Sequence, residues 1–187
     1  MSKLPPLASV LVLAIFVANS YAAEPVRSGL QAGEKITAIF EPLNVNGEHA
    51  GERHCLVCEN GVSPVAMVFA RQPSEALWKL LAELETTTAN SDALAMGSFV
   101  VFLNEDDKLK EQLAASAKKH SLKKLIVSTY EVAGPEGFEV AKDAEVTVVL
   151  YRDFKVEANH AFRAGELTAA AVDKVVADLP KILVKKE

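Results

Sequence analysis

The sequence predicts an α/β domain with a central mixed sheet and helices on both of its faces. Two observations carry this. Apolar runs of strand length alternate with segments of helical periodicity, the pattern of a sheet covered by helices. Strands such as "VVFL" and "TVVL" carry apolar residues on both faces, as interior strands of a sheet do. The chain has 187 residues, half of them apolar and 24% charged, enough for one domain with a real core.

The elements follow in order. "KITAIFEPLNVNGEHAGERHC" mixes short apolar pieces with Asn-Gly and His-Ala-Gly turns and reads as a strand or two with loops. "PVAMVFAR" is a compact strand. In "PSEALWKLLAELETTT", Leu77, Leu80, Leu81 and Leu84 share one helical face, with Ser74 placed to cap it and Glu75 in its first turn. "SFVVFLN" is a second buried strand. "EDDKLKEQLAASAKKH" is a helix with acids at its start and bases at its end, as the helix dipole favours. "LKKLIVSTYEV" is a third strand, and "AGPEGF" is a turn-rich connection. "EVTVVLYRDFKVEANHAF" forms a hairpin turning at Asp153 and Phe154. By period-two counting, His160 shares the face of Val156, Ala158 and Phe162, as a half-buried histidine at a sheet edge. The last helix places Val172, Val175, Val176 and Leu179 on one face and is limited by Pro180.

The first 22 residues read as a signal peptide: Lys3, an apolar run from Leu7 to Ala18, then Ser20 and Ala22 as small residues before a cut. The run is short for a membrane span, which needs about 20 residues. An uncleaved N-terminal anchor is the rival reading. After cleavage no stable membrane span is expected, and the protein is expected to be exported, periplasmic or extracellular. Residues 23–32 are expected to be a flexible entry segment, and 33–187 the folded domain. The formal charge of -5, with no basic stripe, argues against nucleic acid as a partner.

Chemistry centres on Cys55 and Cys58, the two cysteines of the chain. Export favours a disulfide. Geometry sets a condition on it: a straight strand would hold the two α-carbons about 10 Å apart, whereas a disulfide needs roughly 4.4–6.8 Å. Leu56 and Val57 would have to turn, and neither is a good turn residue. Arg53 and His54 precede the pair as positive neighbours that could stabilise a thiolate on Cys55. A zinc site needs about four ligands, so no metal site is assigned. Cys55, Cys58 and a distant histidine such as His160 would suit only a soft ion of the Cu(I) type. No cofactor is expected. Trp78 reads as core or rim packing. Arg71 and Arg152, at strand ends, are candidate anion contacts.

From "PVAMVFAR", "PSEALWKLL" and the closing "VTVVLYRDFKVEANHAFRAGELTAAAVDKVVADL", the chain resembles the thioredoxin-like fold, and within it the redoxin or peroxiredoxin-like branch. The resemblance implies a three-layer sandwich, thiol–disulfide or peroxide chemistry, and a protein thiol or disulfide as partner. It also implies reactive cysteines just after the first core strand. Gln72, Pro73 and Ser74 stand there instead, and the family's cis-proline position holds Glu145 or Val146. The sequence thus leaves three readings open: a redox protein with a displaced pair, a non-catalytic module with a disulfide staple, or a soft-metal binder.

Overall fold

The computed structural model describes residues 24–184; the signal peptide read at residues 1–22 lies outside them. Six strands form one sheet in the order β1-β4-β3-β2-β5-β6. They are β1 (Leu43–Asn44), β2 (Val65–Ala70), β3 (Gly97–Leu103), β4 (Ile126–Tyr130), β5 (Val146–Arg152) and β6 (Lys155–Phe162). Strands β2, β3 and β4 run parallel, while β1 on β4, β5 on β2 and β6 on β5 are antiparallel. The helices are α1 (Leu56–Asn60), α2 (Glu75–Ala89), α3 (Asp107–Lys119), α4 (Ala169–Asp178) and α5 (Pro180–Leu183). This is the mixed-sheet α/β architecture expected from the alternating pattern.

The two outer layers are unequal. On one face, Ala66, Val68, Val100, Phe102, Val148 and Leu150 meet the leucine stripe of α2 and the apolar faces of α3, α4 and α5. Leu77, Leu80, Leu81 and Leu84 are all fully buried. Each such leucine contributes about 1.5–3 kcal/mol of hydrophobic stabilisation. On the other face, Met67, Phe69, Phe99, Val101, Val149 and Tyr151 are covered by Ile36, Phe40, Phe138 and α1. Among the described residues, the helix on this face is a single turn, and aromatic edges supply the rest: Phe40 lies 5.3 Å from Tyr130 and 4.9 Å from Phe138, ring centre to ring centre.

The cap expected at Ser74 forms, and two further caps accompany it. Ser74 Oγ accepts from Leu77 N–H at 3.2 Å, Asp106 accepts from Lys108 and Leu109 N–H, and Thr168 accepts from Ala171 N–H. Pro180 ends α4 by opening α5, where its missing N–H costs nothing. At the hairpin tip, Asp153 and Phe154 both take positive φ (53° and 57°), the geometry of a tight two-residue turn. The Phe154 carbonyl then accepts from Ile36 N–H at 2.8 Å.

Period-two counting fails at one point in β6. Leu150 pairs with Ala158 but Tyr151 pairs with Val156, so Glu157 is an extra residue in a bulge. Val156 therefore joins the second face, while Ala158 and His160 stay on the first.

The entry segment, read from sequence as loose, makes specific contacts. Ser28 Oγ lies 2.7 Å from Thr147 Oγ1, and Asn159 Nδ2 donates to the carbonyls of Ser28 and Leu30. Gly29 adopts φ +77°, where a Cβ would stand 2.8 Å from Thr147 Cγ2, so only glycine fits. Among the described residues no helix is long and apolar enough to cross a membrane.

Candidate functional site

Cys55 and Cys58 are joined by a disulfide, with α-carbons 5.2 Å apart. The chain reaches this separation by a single helical turn, not by a loop turn. Cys55 is the N-cap of α1 in extended backbone conformation, and its Sγ accepts from Cys58 N–H at 3.1 Å. Glu59 N–H closes the turn on the Cys55 carbonyl at 3.0 Å. Gly61, at φ 53°, ends it. Asn60 Nδ2 folds back on the Leu56 carbonyl at 2.7 Å. The space Asn60 occupies exists because residue 97 is glycine, whose absent side chain would overlap it.

Leu56 and Val57, poor turn residues by local preference, serve here as the buried side of that turn. They are 2% and 1% exposed and belong to the same buried core as Met67 and Phe69. Burial of two aliphatic side chains, about 1.5–3 kcal/mol each, outweighs their poor turn preference. The two sulfurs differ in consequence: Cys55 is half-buried against the second core, whereas Cys58 is exposed.

Arg53 and His54 stand beside the pair, and both are occupied. Arg53 reaches Glu105 at 3.1 Å and the Glu41 carbonyl at 3.2 Å. His54 stacks on His49, ring centres 3.8 Å apart, and its Nε2 lies 3.0 Å from Glu59 Oε2. That contact is close but outside hydrogen-bond alignment, so Nε2 is a buried atom without a hydrogen-bond partner, and the contact is an ion pair only when the imidazole is protonated. Sequence reasoning gave Glu59, Asn60 and Glu105 no part in the site. Glu59 and Asn60 belong to the short helix that burial of Leu56 and Val57 creates, and Glu105 comes near through folding alone.

The address where thioredoxin-like proteins place their thiols belongs to another part of the molecule. Gln72 to Ser74 lead into α2, which packs on the opposite face of the sheet from α1. Ser74 uses its hydroxyl to cap the helix. Trp78 packs at the rim, stacked on His120 with ring centres 5.1 Å apart. Arg71 is not an anion contact: its guanidinium is spent on the carbonyls of Ala144, Val132 and Ala141. Arg152 likewise donates to the carbonyls of Ile182 and Val184.

His160 does not approach the cysteines. It faces Val148 on the α2 side of the sheet and pairs with Asp178 at 3.1 Å. Burial lowers its pKa from the ordinary value, and Asp178 partly offsets that. The Asp178 carboxyl is held below its usual range, chiefly by the Lys181 ammonium at 2.8 Å. The Cu(I) arrangement of Cys55, Cys58 and His160 is therefore divided by the sheet. Among the described residues no group of three or more His, Cys, Asp or Glu side chains could hold a metal.

No protein-family model and no curated protein matches the sequence. Solved structures do match in shape. Peroxidoxin BcpB from Mycobacterium tuberculosis is 17% identical, with a TM-score of 0.57 over 82% of this chain and 98% of that one. The bacterioferritin comigratory protein of Xanthomonas campestris is 12% identical, TM-score 0.53, over 80% and 97%. A secreted disulfide oxidoreductase of Mycobacterium tuberculosis, described as homologous to E. coli DsbE, is 10% identical, TM-score 0.52, over 75% and 94%. At these identities the likeness establishes the fold: the chain is thioredoxin-like.

Proposed function

We propose that this thioredoxin-like chain is an exported thiol–disulfide exchange protein that works through Cys55 and Cys58, with a protein thiol or disulfide as partner. One observation carries the reading: the two cysteines are bonded, and one of them, Cys58, is an exposed residue. An exposed disulfide is the kind a partner thiolate can attack. Export rests on the leader-like residues 1–22 and on the redox environment a disulfide needs. The secreted oxidoreductase and the peroxidoxin among the structural neighbours support the same direction. Arg53 and His54 take a secondary share in favouring the thiolate, because Glu105 pairs with Arg53 and Glu59 stands against His54.

The staple reading has its own observation. Leu56 and Val57 root the pair in the core, and the family's usual address lacks cysteine. Turnover separates the two. Reduction of a disulfide-bonded protein by dithiothreitol should be accelerated by wild type and fall to the uncatalysed rate with Cys55→Ser. Equal rates for the two proteins would leave the staple.

A further inference from the structure

In thiol–disulfide exchange, the attacked sulfur is set by access, and the departing sulfur by how well its thiolate is stabilised. Both conditions are asymmetric here. Cys58 is exposed. Cys55 is half-buried, packed against the apolar layer that holds Leu56 and Val57, which shields it from an incoming thiol. Cys55 Sγ also already accepts the Cys58 backbone N–H at 3.1 Å. A hydrogen bond to the charged form of a group stabilises that form, so Cys55 is the better leaving thiolate. No second donor of this kind is seen on Cys58 Sγ among the described residues.

Resting on the exchange reading above, we infer that the pair has a fixed polarity: Cys58 is the entry sulfur, and Cys55 is the leaving and resolving sulfur. A partner thiolate attacks Cys58 Sγ. The Cys55–Cys58 bond breaks, its electron pair leaves on Cys55 as thiolate, and a mixed disulfide joins the partner to Cys58. A second thiolate of the partner then attacks the partner sulfur of that bond and releases Cys58 as thiolate. The partner dithiol is oxidised by two electrons, the pair is reduced by two, and the two thiol protons pass to solvent or to the new thiolates. In reverse, reduced Cys58 attacks a partner disulfide and Cys55 resolves it. The specificity consequence is that the partner must fit the exposed side of α1, around Cys58 and Glu59, and not the Cys55 side.

The test uses the whole oxidised protein with glutathione as probe. Samples are quenched early with N-ethylmaleimide and digested at arginine and lysine. Residues 54–71 form one peptide carrying both cysteines, and fragment masses assign each adduct. The expected result is glutathione on Cys58 and maleimide on Cys55, favoured by roughly tenfold or more over the reverse. Glutathione mainly on Cys55, or evenly divided, overturns the polarity while leaving exchange in place. A disulfide that stays closed in the folded protein under excess glutathione removes the exchange reading, and the polarity with it. As a second measurement, thiolate absorbance against pH should show Cys55 in C58S ionising at lower pH than Cys58 in C55S. The opposite order would overturn the assignment.

Discussion

Two helix starts in this protein have the same local chemistry and different occupants. At α2, Ser74 Oγ accepts from Leu77 N–H across a 15-residue helix seated by four buried leucines. At α1, Cys55 Sγ accepts from Cys58 N–H across a five-residue helix seated by Leu56 and Val57. Each N-cap supplies an acceptor three residues before a backbone donor. At the long helix that acceptor is an inert hydroxyl. At the short one it is a sulfur, in a bond that can open. The contrast teaches that a capping site, rather than a particular helix of the fold, is what places a sulfur near an N–H donor. The placement of Cys55 then follows from what buries α1.

The comparison can be broken from either side. The largest expected effect is at the seat of α2: Leu81→Ala should cost about 2–5 kcal/mol, by lost burial and a residual cavity, seen as a lower urea midpoint. Exchange by the protein that remains folded should be unaffected, because Leu81 packs on the other face of the sheet. Replacing both cysteines by serine should abolish exchange. It should cost about 2 kcal/mol, since the loop closed by the bond is very short. Ser74→Ala should cost about 1 kcal/mol through the lost cap and leave the glutathione reaction at the wild-type rate. A fall in that rate would mean the α2 start contributes to the chemistry.

The smallest effect is a pH dependence confined to the α2 face. The folded pKa of His160 is lowered by burial, so the unfolded chain takes up a proton first as pH falls. Its contribution is complete above the unfolded value near 6.5. It is lost as pH falls from there through the depressed folded value. Asp178, also depressed, contributes at neutral pH and loses its contribution only as pH falls from about 4 through its own folded value. His160→Gln should flatten stability against pH just below neutrality and leave the acid limb in place, as read by urea midpoints across a pH series.

Much of the α2 face was legible because its signals are local. Leu77, Leu80, Leu81 and Leu84 announce a helix by spacing, Ser74 announces its start, and Asp153-Phe154 falls between two strand runs. The α1 face was not. "HCLVC" gains its helical turn only when Leu56 and Val57 enter the second core, which also draws on Phe99, Val101, Phe138, Val149 and Tyr151 from far along the chain. The bulge at Glu157 was hidden for a similar reason. It exists in the pairing of β5 with β6, and it moved Val156 to the face opposite the one counted. Arg71 misled because strand-end arginines are often free, whereas three carbonyls from residues 132–144 fold onto this one.

The central claim is that the Cys55–Cys58 bond opens and closes within the folded protein. Equilibration in glutathione buffers of graded redox poise, with free thiols counted and near-ultraviolet circular dichroism recorded on the same samples, tests it most directly. The account predicts a reversible two-electron transition between zero and two free thiols, with the tertiary signal of the folded chain retained throughout. A bond that stays closed across the series, or one whose reduction coincides with loss of the tertiary signal, would contradict it and leave the pair a staple.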